Sequence, residues 1–556
     1  MVNFSGRLFP NHLWLPGIVL TAVILSLPML VIISSIFSPT SDNWQHIKDT
    51  ILQEYLTNSA LLVIGVAIGT LLLGVSTAWL TSMCRFPGKK YFVWLLLLPL
   101  SMPAYIIAYT YTGMFDFAGP VQSWLRELTG WGFGDYYFPQ IRSLGGAITM
   151  LSLVVYPYVY LLARAAFIEQ SACVLEVSRT LGCGSWSSFT RVALPLARPA
   201  IVAGVSLALM ETLADYGTVA YFGVDVFTTG IFRAWFGMGD SVVASNLASL
   251  LLFFVFILIT LERVSRKQAR YHHTTNKYAN LPEYVLSGYK AAGAFTLCLI
   301  PVFLGFLLPA GKLLGWAFET FDDMVDAQFL ELTLNTVILG VATALLSVVV
   351  ALFLAYGQRL IPGKLTMVSI RIAAIGYAIP GTVIAVGVII PFAWLDNQIH
   401  DFMMDNFSIS TGLLLSGTVF ALMFAYLVRF LAVSLQTVES GIGKIKHSLD
   451  DAARSLGYRP MQTLFKVHIP LMKGSVITAF LIVFVDVLKE LPATLILRPF
   501  DFNTLAVRAF ELASDERLAD SSTAALMIVM VGLLPVIYLN KAITLSRAGN
   551  SKQGNV

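Results

Sequence analysis

Four carboxylates sit where carboxylates are costly. Glu211 and Asp215 fall in one apolar stretch and Asp486 and Glu490 in another, each pair spaced four residues apart. On a helix that spacing puts both acids on one face. At about 1.5 Å per residue, a span starting near Pro199 carries Glu211 to mid-bilayer and Asp215 about 6 Å further out. Ionised acids at a helix centre cost about 2.5–3.5 kcal/mol each, so four facing lipid would cost on the order of 10–14 kcal/mol. The acids are therefore expected to face inward and line a cationic pathway. The competing expectation is internal pairing, for example with Lys489.

Other chemistry is thin. Cys84, Cys173, Cys183 and Cys298 form no C-x-x-C pair, and the one adjacent histidine pair, His272-His273, lies in a polar stretch. Neither set has the spacing of a metal site, so no metal centre is assigned. No GxxxxGK[ST] occurs: Gly88-Lys89, Gly311-Lys312, Gly363-Lys364 and Gly443-Lys444 all lack the following Ser or Thr. Nothing here cradles nucleotide phosphates in the usual way. No nucleophile–base pair stands out either, which argues against a membrane enzyme. No cofactor is expected on this chain, and no nucleic-acid partner.

The elements that must position these acids follow from composition. The chain has 556 residues, 57% hydrophobic and 12% charged, with mean hydropathy +0.76. Soluble domains carry about 25% charged residues, so the solvent here is largely lipid. Apolar windows of spanning length recur near 13–37, 58–82, 91–114, 144–168, 199–222 and 240–262, and again near 289–315, 332–357, 366–392, 411–434, 474–497 and 521–546. The expectation is an all-α membrane protein of about twelve transmembrane helices, since helices satisfy their own backbone groups in lipid. The first apolar run is too long for the core of a cleaved signal and reads as a retained span. Arg85, Lys89 and Lys90, then Arg263, Arg266, Lys267, Arg270 and Lys277, then Arg359 and Lys364, and finally Lys541, Arg547 and Lys552 share one side if both ends are cytoplasmic.

The chain also repeats itself. At a shift of 275 residues, Arg179-Thr180-Leu181-Gly182 meets Arg454-Ser455-Leu456-Gly457, Glu211 meets Asp486, and Asp215 meets Glu490. Phe227, Thr229 and Arg233 meet Phe502, Thr504 and Arg508, and Pro87-Gly88-Lys89 meets Pro362-Gly363-Lys364. At 277, Asn58 meets Asn335 and Pro103 meets Pro380. Chance similarity between apolar helices would match leucines, not these residues. Two halves, 1–262 and 289–556, are joined by a polar linker at 263–288. With six spans each they share one orientation, which predicts a parallel pseudo-dimer with a pathway between halves.

Between the fourth and fifth spans of each half, about 169–197 and 440–470, lies an acidic residue, five residues, a Gly, twelve residues and a Pro. These are Glu176, Gly182 and Pro195, then Asp451, Gly457 and Pro470. A helix carrying the acid should end at the Gly, and a second short helix should stop before the Pro. This pattern resembles the EAA loop of permeases from binding-protein-dependent ABC importers. Asp451-Ala452-Ala453, Gly457 and Ile469-Pro470 match it with Asp for Glu; Glu176, Gly182 and Leu194-Pro195 match it with Val177-Ser178 for Ala-Ala. The resemblance implies the type I ABC importer permease fold, in an inner membrane. It also implies two copies of a separate ATPase subunit, holding ATP and magnesium and docked on the two loops, with a periplasmic substrate-binding protein as third partner.

Ala214-Asp215-Tyr216-Gly217-Thr218-Val219, Phe227-Thr228-Thr229-Gly230-Ile231, Lys489-Glu490-Leu491-Pro492-Ala493-Thr494-Leu495 and Asn503-Thr504-Leu505-Ala506 resemble fused two-half permeases of ferric-iron importers. That likeness implies ferric ion as cargo. Thiamine, phosphonates and sugar phosphates are the alternatives among related permeases, and a hard cation suits oxygen ligands best. An ion-coupled secondary transporter is the alternative from another class; the paired Gly-Pro loops speak against it.

Overall fold

The computed structural model describes residues 14–37, 41–132, 134–169, 184–267 and 283–546. Among the described residues ten helices are long and apolar enough to cross a bilayer, and two bent pairs bring the number to twelve if each pair crosses once. The bent pairs are Lys89–Ser101 with Ala104–Thr129, at 90°, and Pro460–Leu471 with Lys473–Leu488, at 82°. Outward faces are apolar at helical spacing. Leu61, Ile64, Ile68 and Leu72 stand exposed along Leu52–Met83, as do Leu330, Leu334, Ile338, Leu345 and Val349 along Ala327–Leu360. In water such stripes would be a liability; in lipid they are the solvated surface.

Several spans expected to be continuous are broken. The third and ninth stop at Pro103 and Pro380, where a 3-10 turn (Leu98–Ser101, Ile375–Ala378) precedes a fresh helix (Ala104–Phe115, Gly381–Phe407). Proline lacks the N–H that an unbroken helix requires there. The fifth and eleventh end at Ala214 and Leu488, and short helices follow, Gly217–Tyr221 and Pro492–Leu497.

The chain divides into two compact units that are not its two repeats. One holds Met1–Pro39 with Leu330–Leu505, the other Thr40–Phe329 with Ala506–Val556. In the first unit, Trp14–Ser35 packs on Lys364–Ala373 and Gly381–Phe407, and Trp14 stacks on Phe353 with ring centroids 5.0 Å apart. Val419–Gly443 packs against Lys473–Leu488 on one side and Gly381–Phe407 on another. In the second unit, Leu52–Met83 lies along Leu144–Glu169, and Leu194–Ala214 packs on both. Tyr156 and Tyr160, fully buried there, donate to the carbonyls of Leu96 and Val93 at 2.9 and 3.1 Å. They capture carbonyls that the broken third span leaves open. Of the linker, the first residues prolong the Ser241–Lys267 helix, and Tyr284–Val285 pairs in parallel with Cys84–Arg85.

Candidate functional site

The carboxylates meet a different fate from the one their spacing suggests. The helix carrying Glu211 ends at Ala214, so Asp215 lies beyond it with extended backbone (φ −68°, ψ 134°) and shares no helix face with Glu211. Asp486 and Glu490 are parted in the same way by the end of Lys473–Leu488. The second acid of each pair instead caps the next short helix. Asp215 Oδ2 accepts from the backbone N–H groups of Thr218 and Val219 at 3.1 and 3.2 Å, and its Oδ1 accepts from the Thr218 hydroxyl at 3.0 Å. Glu490 Oε1 accepts from Ala493 N–H at 2.9 Å, and Oε2 from Thr494 N–H and hydroxyl at 3.1 and 2.7 Å. A carboxylate at a helix N-terminus satisfies donors that the helix cannot. Glu211 stays half-buried within its helix. Asp486 pairs with Lys489 at 2.8 Å, so the expected internal pairing holds for that acid. Arg429, which sequence reasoning passed over, reaches Glu490 Oε1 at 3.1 Å, with side chains only 11% and 2% exposed.

The second bent loop is fully described. His447–Ser455 carries Asp451 and Ala452 on its exposed face and Ala453 on its buried one. It ends as expected at Gly457, in the left-handed conformation at φ +79°, with Gly457 and Tyr458 N–H bonded to the carbonyls of Arg454 and Ala453. Glu176 and Gly182 of the first loop lie outside the described residues; Leu194 and Pro195 lie within them. The helix expected to stop before each proline does not. A widened turn of π-helix, Phe189–Ala193 or Leu464–His468, comes just ahead of Leu194-Pro195 or Ile469-Pro470, and the prolines then start fresh α-helix. A wide turn moves the carbonyl with which the proline ring would clash. Leu194 and Ile469 are half-buried while Pro195 and Pro470 are exposed, so the two copies match here.

A buried cluster anchors the second loop. Arg359 donates from Nε to Asp450 Oδ2 at 2.8 Å and from its terminal nitrogens to the carbonyls of Ile442 and Ile445 at 2.8 and 2.9 Å. His468 Nε2 lies 2.6 Å from Asp450 Oδ1, and Tyr356 donates to the Pro460 carbonyl at 2.8 Å. Burial by itself would raise the Asp450 carboxyl, but the hydrogen bond and charge of Arg359, with His468 adding to them, hold it below the usual carboxylate range. Burial lowers His468, and Asp450 only partly offsets this. The fold thus favours the neutral imidazole over the charged one. Neither Asp450 nor His468 announced itself in the sequence; the repeat places Leu175 and Ala193 there. Among the described residues no group of three or more His, Cys, Asp or Glu is placed to hold a metal ion.

The family of binding-protein-dependent transport system inner membrane components matches residues 70–270 and again 347–545. The chain belongs to this family. The two matches begin 277 residues apart and end 275 apart, the spacing of the internal repeat. The protein is thus a multi-pass inner-membrane permease of a binding-protein-dependent ABC importer, a transport subunit and not itself an enzyme, and works with a binding protein and an ABC ATPase. It is similar to the Fe(3+)-transport system permease protein of Haemophilus influenzae, 27% identical over 88% of this chain and 90% of that one. The ferric transport system permease protein of Actinobacillus pleuropneumoniae is 23% identical over 81% of this chain and 65% of its own. A sulfate transport system permease protein of Escherichia coli is 28% identical over 28% of this chain and 52% of its own.

Proposed function

We propose that this permease carries ferric ion from a periplasmic binding protein to the cytoplasm, driven by two copies of a separate ATPase. The observation that carries the reading is the reach of the similarity. It extends over 88% of the chain for a permease of Fe(3+) and over 28% for one of sulfate. Both termini are cytoplasmic in this reading. The bent loops containing Glu176, Gly182 and Asp451-Ala452-Ala453, Gly457 receive the ATPase, and ATP with its magnesium stays on that partner. The exposed apolar tips Leu449 and Leu456 on the second loop suit such a seat. The substrate path is marked by the membrane carboxylates Glu211, Asp215, Asp486 and Glu490, whose oxygen chemistry suits a hard cation. Binding of the loaded binding protein and of ATP acts by favouring different states of the permease.

The test is an uptake panel with the complete importer: ferric ion, sulfate, molybdate, thiamine and a phosphonate, each with the binding protein present. Saturable ferric uptake that stops on ATP depletion is the expected result. Uptake of an oxyanion without iron would replace the cargo and keep the machinery. Ferric uptake sustained by membrane potential alone would remove the ATPase.

A further inference from the structure

The two carboxylate-capped turns are built alike but charged differently. In each unit the short helix packs against the helix that follows the proline break and against another spanning helix: Gly217–Tyr221 on Ala104–Phe115 and Leu144–Glu169, Pro492–Leu497 on Gly381–Phe407 and Val419–Gly443. The capping bonds run to equivalent backbone positions, 218 and 219 in one, 493 and 494 in the other. The difference lies in what stands beside the acid. Arg429 neutralises Glu490, and Gly381 makes room: a Cβ there would collide with the Arg429 guanidinium and come within 2.7 Å of Glu490 Oε1. At the repeat-equivalent positions of the other half stand Val154 for Arg429, Ala104 for Gly381 and Asp215 for Glu490. Three positions change together: a glycine, an arginine and a glutamate on one side, an alanine, a valine and a shorter acid on the other. Val154 is buried and apolar, and Asp215 forms no ion pair among the described residues; its three bonds come from Thr218 and Val219.

A cap alone does not require a charge. Asn and Ser serve at N-caps as well as Asp does, and an uncompensated acid in a membrane segment is expensive. The second turn relieves that cost with Arg429; among the described residues the first sets no cation against its acid. We infer that Asp215 is the specificity-determining residue of the permease, the carboxylate with no cation beside it in the protein and so open to one in transit, while at the second turn Arg429 already holds that place beside Glu490. This rests on the ferric reading above and assigns the charge requirement to one half.

The experiment uses the full importer in proteoliposomes with its binding protein and ATPase, and radioactive ferric iron as probe. Asp215→Asn keeps the cap and removes the charge. The triple variant Ala104→Gly, Val154→Arg, Asp215→Glu keeps a carboxylate and neutralises it with packing already used at the second turn. Both are expected to lower ferric uptake at least tenfold with ATPase association unchanged, and Asp215→Glu alone to retain most of it. Uptake by Asp215→Asn within twofold of the parent would overturn the inference, leaving Asp215 a cap and nothing more; the triple variant near parental uptake would do the same. If the parent importer itself takes up no iron, the ferric reading fails, and that outcome is visible before any variant is compared.

Discussion

Arg359 does at one point what a helix end needs at several. It bonds the carbonyls of Ile442 and Ile445 at the close of Val419–Gly443 and pairs with Asp450 at the start of the next helix, with its own side chain 6% exposed. Removing one partner of a buried pair typically costs about 3–5 kcal/mol, much of it from the charge left behind. Arg359→Met is therefore expected to lower the melting temperature of the purified permease clearly, and Arg359→Met with Asp450→Leu to recover part of the loss. A double variant no more stable than the single would remove the pairing argument. His468 adds a pH dependence. Its folded pKa is lowered from the ordinary value of about 6.5, so its neutral form is the one the fold favours. Its contribution is full above about pH 6.5 and is lost as pH falls through the lowered folded value. Asp450, also lowered, loses its contribution at lower pH still, in the same direction. The melting temperature should fall between pH 7 and pH 5, and less steeply in His468→Gln; equal slopes would exclude His468 as the cause. None of this cluster was legible beforehand. Arg359 stands 91 residues before Asp450, and the repeat offers Cys84, Leu175 and Ala193 in place of Arg359, Asp450 and His468, because the first half packs this region with Trp79, Phe167 and Phe189 instead.

Among elements, the bent loop was the most readable and the spans the least. Gly457 was identified from spacing alone and adopts the left-handed backbone that spacing implied, with open space around a would-be Cβ. A side chain there is strained by its backbone and by nothing else, so Gly457→Ala should cost about 1 kcal/mol. In the assembled importer it should reduce uptake per ATP hydrolysed while ATPase binding persists. Full coupling in Gly457→Ala and in Gly457→Leu would deny the bend a part in transmission. Hydropathy located the membrane segments but could not see that four of them break. It sums composition over a window, and Asp215 or Glu490 enters that sum as one unfavourable residue, not as the cap of a new helix. Pro103 and Pro380 were the available signal, matched across the repeat, and they mark two of the four breaks. The prolines after the bent loops misled for a related reason: a π turn absorbs each ring where an ordinary α turn would have to end.

At the scale of the whole chain, duplication was visible in the residues and the partition into units was not. Sequence identity follows gene history, whereas packing follows which apolar faces meet. Trp14–Ser35 opens the chain, yet its contacts lie with Lys364–Ala373 and Gly381–Phe407, and Leu308–Met324 packs on Leu518–Ser546 in the unit built mainly from the first half. This has a consequence for biogenesis. The leading helix enters the bilayer hundreds of residues before its neighbours are synthesised, and waits there with its contact face unmatched. The first repeat therefore cannot be finished and set aside while the second is made; closure of both units is a late event, shared by the whole polypeptide. Cells producing 1–267 and 283–556 as separate chains should degrade either fragment made alone and accumulate both when they are made together. A first fragment that persists by itself, protease-resistant and folded, would mean the early helix has no need of its distant neighbours.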